Sequence, residues 1–131
     1  MKAELDYALL ADYADVNGEK LTVVGGSFTK VVFPSFPAQM MAYVAGRLRV
    51  FLPDTSVEIR IKVIPPNEDY DLEIVGQLQM TDDVVPYTDN KAGALFAIGL
   101  PLSLPSVGLY TVEIRLADEL VRTLRFEAIE A

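Results

Sequence analysis

The sequence predicts a single all-β domain over residues 1–131, an antiparallel β-sandwich of about eight strands, with a partly closed β-barrel as the alternative. Three observations predict it. Apolar and polar residues alternate with period two through most of the chain, turn-forming residues interrupt that alternation at regular intervals, and no segment carries a 3.6-residue apolar stripe. A chain of 131 residues is long enough to build a core without disulfide staples.

The first run spans 4–13 and leads to Asn17-Gly18, a hairpin signature, because both central residues of that turn adopt positive φ. A second run over 20–32 contains Gly25-Gly26, which inside a strand marks a bulge or a close backbone approach. A third covers 39–51. Val57, Ile59, Ile61 and Val63 then alternate with Glu58, Arg60 and Lys62 over 56–64. Leu72, Ile74, Gly76, Leu78 and Met80 alternate with Glu73, Gln77 and Gln79 over 71–80, after the breaker cluster Pro65-Pro66-Asn67-Glu68-Asp69. A polar loop from Asp82 to Asn90 precedes 91–100. Tyr110, Val112, Ile114 and Leu116 define 109–116, and Leu120, Leu124, Phe126 and Ala128 define 120–129. Arg122 interrupts that last inward set, which places it near an edge or opposite a charge. The predicted core is Val57, Ile59, Ile61, Val63, Val112, Ile114, Leu124 and Phe126.

Two segments, Met40 to Gly46 and Ala92 to Leu100, are apolar on both faces and need cover on both. Either loops and small residues supply it or a second subunit does. The high apolar content, 51% of residues, adds weight to self-association.

Composition removes several function classes. Nineteen Asp and Glu face 11 Lys and Arg, for a net charge of -8, so nucleic acid and anionic membrane surfaces are poor partners. The chain has no Cys and no His, which removes thiolate chemistry, the usual zinc ligands and the usual general base. Met1-Lys2-Ala3-Glu4-Leu5-Asp6 has acids where a signal peptide needs bases and an apolar run, and no apolar stretch reaches membrane-spanning length. The expected location is cytoplasmic.

Candidate chemistry is sparse. Ser27-Phe28-Thr29-Lys30 matches the Ser-x-x-Lys of penicillin-binding enzymes, but that motif works on a helix, and here it falls in a β-rich run without its partner motifs. Asp82, Asp83, Asp89 and Asn90 offer oxygen ligands for calcium in one loop, at a spacing that fits no EF-hand. Paired carboxylates for glycoside hydrolysis have no visible pairing. No catalytic residue, cofactor or metal ligand is therefore assigned.

The segments Ala8-Leu9-Leu10-Ala11-Asp12-Tyr13-Ala14, Lys20 through Phe28, Phe33-Pro34 through Ala38, and Gly108-Leu109-Tyr110-Thr111-Val112-Glu113-Ile114 resemble an uncharacterised family of small bacterial proteins, a domain of unknown function. The resemblance spans most of the chain. It implies a small all-β protein and brings no activity or functional residue.

Strand parity yields one candidate surface. If consecutive strands run antiparallel, connections alternate between two ends. One end then collects Asp15, Glu19, Asp54, Asp82, Asp83, Asp89, Asp118 and Glu119. The other collects Phe33, Phe36, Tyr70, Leu102, Leu104 and Val107 among prolines. Apolar loop residues either plug the open end of the sandwich or meet a partner. The expected function is a non-catalytic binding or assembly module acting through protein surfaces, as a homo-oligomer or with a protein partner at Phe33, Phe36, Tyr70, Leu102 and Leu104. The alternative is a carboxylate-based enzyme or a divalent-metal-binding β-sandwich.

Overall fold

The computed structural model describes residues 3–80 and 85–131. Their strands are β1 (Ala3–Asn17), β2 (Lys20–Gly26), β3 (Lys30–Phe33), β4 (Ala38–Phe51), β5 (Ser56–Ile64), β6 (Leu72–Gln79), β7 (Lys91–Leu104), β8 (Gly108–Leu116) and β9 (Glu119–Glu130). No helix occurs among the described residues, so none is long and apolar enough to cross a membrane. The strands form a four-stranded sheet in the order β2-β1-β4-β7 and a five-stranded sheet in the order β3-β9-β8-β5-β6. All neighbours are antiparallel except β3 and β9, which run parallel.

Alternation places the core between the sheets. Val44, Leu48, Phe96 and Leu100 from the first sheet meet Ile59, Ile61, Val63, Val112, Ile114 and Phe126 from the second, all buried. Of the core predicted from the sequence, Leu124 alone is half-buried, packed against the rest. Tyr110 is fully buried and stacks on Phe126, with ring centroids 5.2 Å apart and planes at 9°, while Phe28 meets Phe126 edge-on. The Tyr110 hydroxyl donates to the backbone carbonyl of Ser106 at 2.7 Å, pinning the turn into β8. This has the form of the tyrosine corner of Greek-key sandwiches.

The run read as one strand over 20–32 is two. Gly25 (φ +61°) and Ser27 (φ +62°) break the extended path, and the chain crosses from the first sheet to the second between Gly26 and Lys30. A Cβ at Gly25 would collide with the Asp12 carboxylate, so this glycine serves the close approach of β2 to β1. In β9 the register slips where Ile114 pairs with Arg122 but Arg115 with Leu120, so Val121 is the extra residue of a bulge. The slip inverts the facing of the first residues of β9. It leaves Leu120 and Arg122 exposed, where strict alternation puts Leu120 inward.

The four-stranded sheet is strongly curled, since its edge strands β2 and β7 touch although two strands lie between them. The curl covers part of the outer face. Ala11, Ala14 and Ala45 form a second small cluster, with Leu9, Leu21, Val23, Tyr43 and Ala97 packed on it. Ala45 and Ala97 sit on the side of β4 and β7 turned away from the main core, so small side chains and the β1–β2 hairpin supply much of the second cover those strands require.

Candidate interaction surfaces

The loops 34–37, 65–71 and 105–107 share one end of the sandwich. Hydrogen bonds join the last two: Asn67 Nδ2 to Ser106 Oγ at 3.3 Å, and the Tyr70 hydroxyl to the carbonyl of Ser103 at 2.6 Å. The β3–β4 loop joins them through the pairing of Ala38 with Leu104. Phe33 and Phe36 lie edge to face, their ring centroids 6.1 Å apart. All five residues singled out from the sequence pack against the main core. Leu102 and Leu104 are 2% and 0% exposed, so they present no surface to a partner. Instead of belonging to a loop, they are the last inward residues of β7, which runs on through Pro101 to Leu104. Phe33, Phe36 and Tyr70 are half-buried over them and close this end from outside. Burial pushes the Tyr70 phenol above its ordinary range, so it acts as a neutral donor.

Strand parity alone does not bring the acidic loops together. β1 and β7 both pair antiparallel with β4 and therefore run in the same direction. The β1–β2 turn thus leaves β1 at the end opposite Asp54, Asp89 and Asp118. The extra strand boundary at Ser27 is what shifts the parity. The curl then brings Gly18 and Glu19 over the outer face, where they share with Arg47, Val85, Tyr87 and Gly93 a depression of about 400 Å³. Asp82 and Asp83 lie outside the described residues. Among the described residues no group of three acids is placed to hold a metal ion.

An ion-pair network, unremarked in the sequence, lies on that same outer face. A register shift between Leu5 and Tyr7 turns Asp6 toward β4. There its carboxylate accepts from Arg47, at 2.7 Å from Nε and also from a terminal nitrogen, and from Arg49 at 2.5 Å. The Arg47 hydrogen bond holds the Asp6 carboxyl below its ordinary range, burial opposes this, and Arg49 reinforces it. Arg47 also lies over the rings of Tyr7 and Tyr87, each centroid 5.5 Å away. Lys91 bonds Glu4 at 3.0 Å and lies over Phe51. Every charge here has an opposite partner, so the network ties β1, β4 and β7 together. The signal was Arg47-Leu48-Arg49, two cations alternating with a core leucine.

Next to this network the outer face becomes apolar. Val24 pairs with Tyr13 across β2 and β1, and the Tyr13 ring meets Tyr43 of β4 edge to face at 5.3 Å. Tyr43 pairs with Gly99 of β7, and Met41 pairs with Pro101. Both side chains lean over Gly99: a Cβ there would lie 3.4 Å from Tyr43 Cε2 and 3.5 Å from Met41 Cε. A continuous strip therefore runs Val24–Tyr13–Tyr43–Met41–Pro101 across all four strands. Val24, Tyr13 and Met41 keep 55%, 46% and 53% of their surface in solvent. At the β7 end the strip opens on a shallow depression of about 450 Å³ lined by Gln39, Met40, Met41, Pro101, Leu102 and Ser103.

No curated protein matches the chain in sequence. Among solved structures it is similar to Pseudomonas fluorescens alkylpurine DNA glycosylase AlkC bound to DNA containing an abasic site analog, with a TM-score of 0.49 and 10% identity. That match covers 99% of this chain and 31% of the glycosylase. It is also similar to Bacteroides uniformis beta-glucuronidase 2 covalently bound to cyclophellitol-6-carboxylate aziridine, with a TM-score of 0.46 and 11% identity, covering 96% of this chain and 14% of that one. Neither likeness brings a function to this chain. The sequence itself is more informative: residues 6–129 match the Family of unknown function (DUF6941). The match runs from Asp6 in β1 to Ile129 in β9, and the chain belongs to this family.

Proposed function

We propose that this chain is a non-catalytic binding module that engages a protein partner through the outer face of its curled sheet. The observation that supports the reading is the contiguous apolar strip Val24–Tyr13–Tyr43–Met41–Pro101, built on four hydrogen-bonded strands and exposed at every residue but the half-buried Tyr43. Scattered exposed apolar residues are ordinary, whereas contiguous ones mark contact surfaces. Tyrosine and methionine suit the role, because Tyr offers a large contact area at low entropic cost and Met adapts its shape. The strip rests on a sheet rather than a mobile loop, so little ordering is needed on binding.

The test is a comparison of captures. Tagged wild-type protein and the double variant Tyr13→Asp, Met41→Asp are used as bait in extract of the source cells, and bound proteins are quantified. The reading expects a partner that the variant loses while its melting temperature stays within a few degrees of wild type. A partner retained equally by both baits, or none with either, overturns it.

A further inference from the structure

β7 is the edge strand of the curled sheet and is 14 residues long, far longer than the four-residue edge strand β3 of the other sheet. Such an edge presents free N–H and C=O groups to any passing strand. Three positions fix which residues present them. Pro101, which has no N–H, sits in the ladder opposite Met41, so its nitrogen must face away from β4. The Ser103 carbonyl is turned outward to the Tyr70 hydroxyl. Lys91 also directs its groups outward: its N–H donates to Thr88 at 2.6 Å and its C=O accepts from Tyr87 at 3.0 Å. These are alternate residues, so Gly93, Leu95, Ala97 and Gly99 turn their backbone groups the same way. Among the described residues nothing pairs with those four. The open edge is bounded at one end by Pro101 and at the other by the Tyr87–Lys91 turn.

From this we infer that β7 pairs antiparallel with β7 of a second copy about a two-fold axis at Phe96, joining the two curled sheets into one continuous sheet. This surface is distinct from the apolar strip, and the inference does not rest on the strip. The register argument selects both the occupant and the axis. With the two-fold at Phe96, Gly93 faces Gly99 of the second copy and Leu95 faces its Ala97. All four open residues are then used, each exchanging both of its backbone hydrogen bonds. Pro101 falls opposite Lys91, so the residue without a donor meets the residue whose groups are already occupied. Moving the axis to Leu95 sets Gly99 against the occupied Lys91. Moving it to Ala97 sets Gly93 against Pro101, which cannot donate.

Side chains favour the same register. On the outer face glycine meets glycine and leucine meets alanine. On the inner face Ala94 meets Ile98, and Phe96 meets its own copy. Large thus faces small at each unlike pair, which is the self-complementarity a two-fold contact requires. Ala94 and Ile98 are half-buried in the single chain and gain cover in the pair.

The test uses the whole chain. Sedimentation over a range from micromolar to millimolar should show reversible dimerisation. Hydrogen exchange followed by NMR should show the amides of Gly93, Leu95, Ala97 and Gly99 protected in the dimer and unprotected on dilution. Ala97→Pro removes one outward donor without touching the β4–β7 ladder, and should shift the dimer constant by at least tenfold toward monomer. If that variant fails to fold, the four wild-type amides still decide. A monomer at every concentration, or a dimer in which those amides exchange freely, overturns the pairing. So does a dimer lost in Tyr13→Asp, Met41→Asp but unchanged in Ala97→Pro, which would place self-association on the strip. Loss of partner capture in the strip variant with dimerisation intact leaves this inference standing, so the two readings fail separately.

Discussion

Replacing Tyr110 with Phe removes one oxygen from the inside of the sandwich and nothing else. The ring is fully buried, so its stack on Phe126 survives and no apolar area is lost. What disappears is the hydroxyl's hydrogen bond to the Ser106 carbonyl at 2.7 Å, together with the long contact it accepts from the Ser106 N–H at 3.4 Å. A neutral hydrogen bond contributes about 1 kcal/mol net, and a buried acceptor left bare costs about 1–3 kcal/mol. Ser106 is half-buried, so water partly reaches its carbonyl, and the expected loss is about 1–2 kcal/mol. For a chain of this size that is a fall in melting temperature of about 4–8 °C. Urea unfolding of wild type and Tyr110→Phe measures it, with an unchanged m-value showing that only stability moved. Ser106→Ala is the control, because Tyr110 uses the backbone of Ser106 and the substitution removes only the exposed 3.3 Å contact of its hydroxyl with Asn67, so it should stay within about 0.5 kcal/mol. A loss below about 0.3 kcal/mol for Tyr110→Phe, or an equal loss for Ser106→Ala, would refute the corner as the device that pins this turn.

Ile61→Ala should cost about 2–5 kcal/mol, since Ile61 is fully buried between β6 and β8; thermal unfolding measures it. Gly46→Ala should abolish the soluble fold, because a Cβ there would run into the Tyr7 carbonyl and lie 2.9 Å from Ala8 Cα and 3.0 Å from Phe96, with no flexible group able to yield on the β1 side; expression and circular dichroism report it. Asp6→Asn should lower the melting temperature at neutral pH. Because the folded carboxyl titrates below its ordinary value near 3.8, its contribution is present above that value and lost only as pH falls through the depressed one, so the gap between the two melting curves should close in strong acid. A gap independent of pH would mean that Asp6 acts through shape rather than charge.

Most of the fold was legible because period-two alternation is a direct record of a sheet with one buried face. Val57 to Val63 and Tyr110 to Leu116 read correctly residue by residue. The departures have local physical causes. Gly25 and Ser27 at positive φ split one β-rich run into two strands in different sheets, and nothing in the residue types of Ser27-Phe28-Thr29 announces the crossing. A single extra residue, Val121, inverted the start of β9; Arg122 was the visible trace of it. Pro101 read as the end of a strand, yet a proline is compatible with an edge strand when its missing N–H faces outward. A strand ending at Pro101 would put Leu102 and Leu104 in a loop, whereas β7 carries both on into the core. The exposed strip escaped the sequence for a different reason. Tyr13, Val24 and Met41 come from three strands, and only the pairing register puts them side by side.

How the edges are treated explains why both proposed contacts fall on one side of the molecule. β3 is four residues long and runs parallel to its neighbour, which leaves little to template another strand. β2 carries Gly25-Gly26 and is drawn over the outer face by the curl, where it touches β7. β6 alternates core residues with Glu73, Gln77 and Gln79, and Glu73 is held by Arg60 at 2.9 Å. Polar, charge-bearing edges of this kind discourage strand addition. Among the described residues β7 has no such protection between Gly93 and Gly99, since its outward side chains there are glycine, leucine, alanine and glycine. A charge at Leu95, which lies at the rim of the depression beside Arg47 and Gly93, would protect the edge. The curl brings the β1–β2 hairpin onto the same side of the sheet, so the unprotected edge and the apolar strip adjoin at Gly99 and Pro101. A partner seated on the proposed strip would lie beside the strand proposed to pair two copies, and Leu95→Lys distinguishes the two contacts. It should weaken the β7 pairing, where Leu95 meets Ala97 of the second copy, and leave capture by Tyr13 and Met41 unchanged. Equal loss of both would show that the partner grips the edge strand itself.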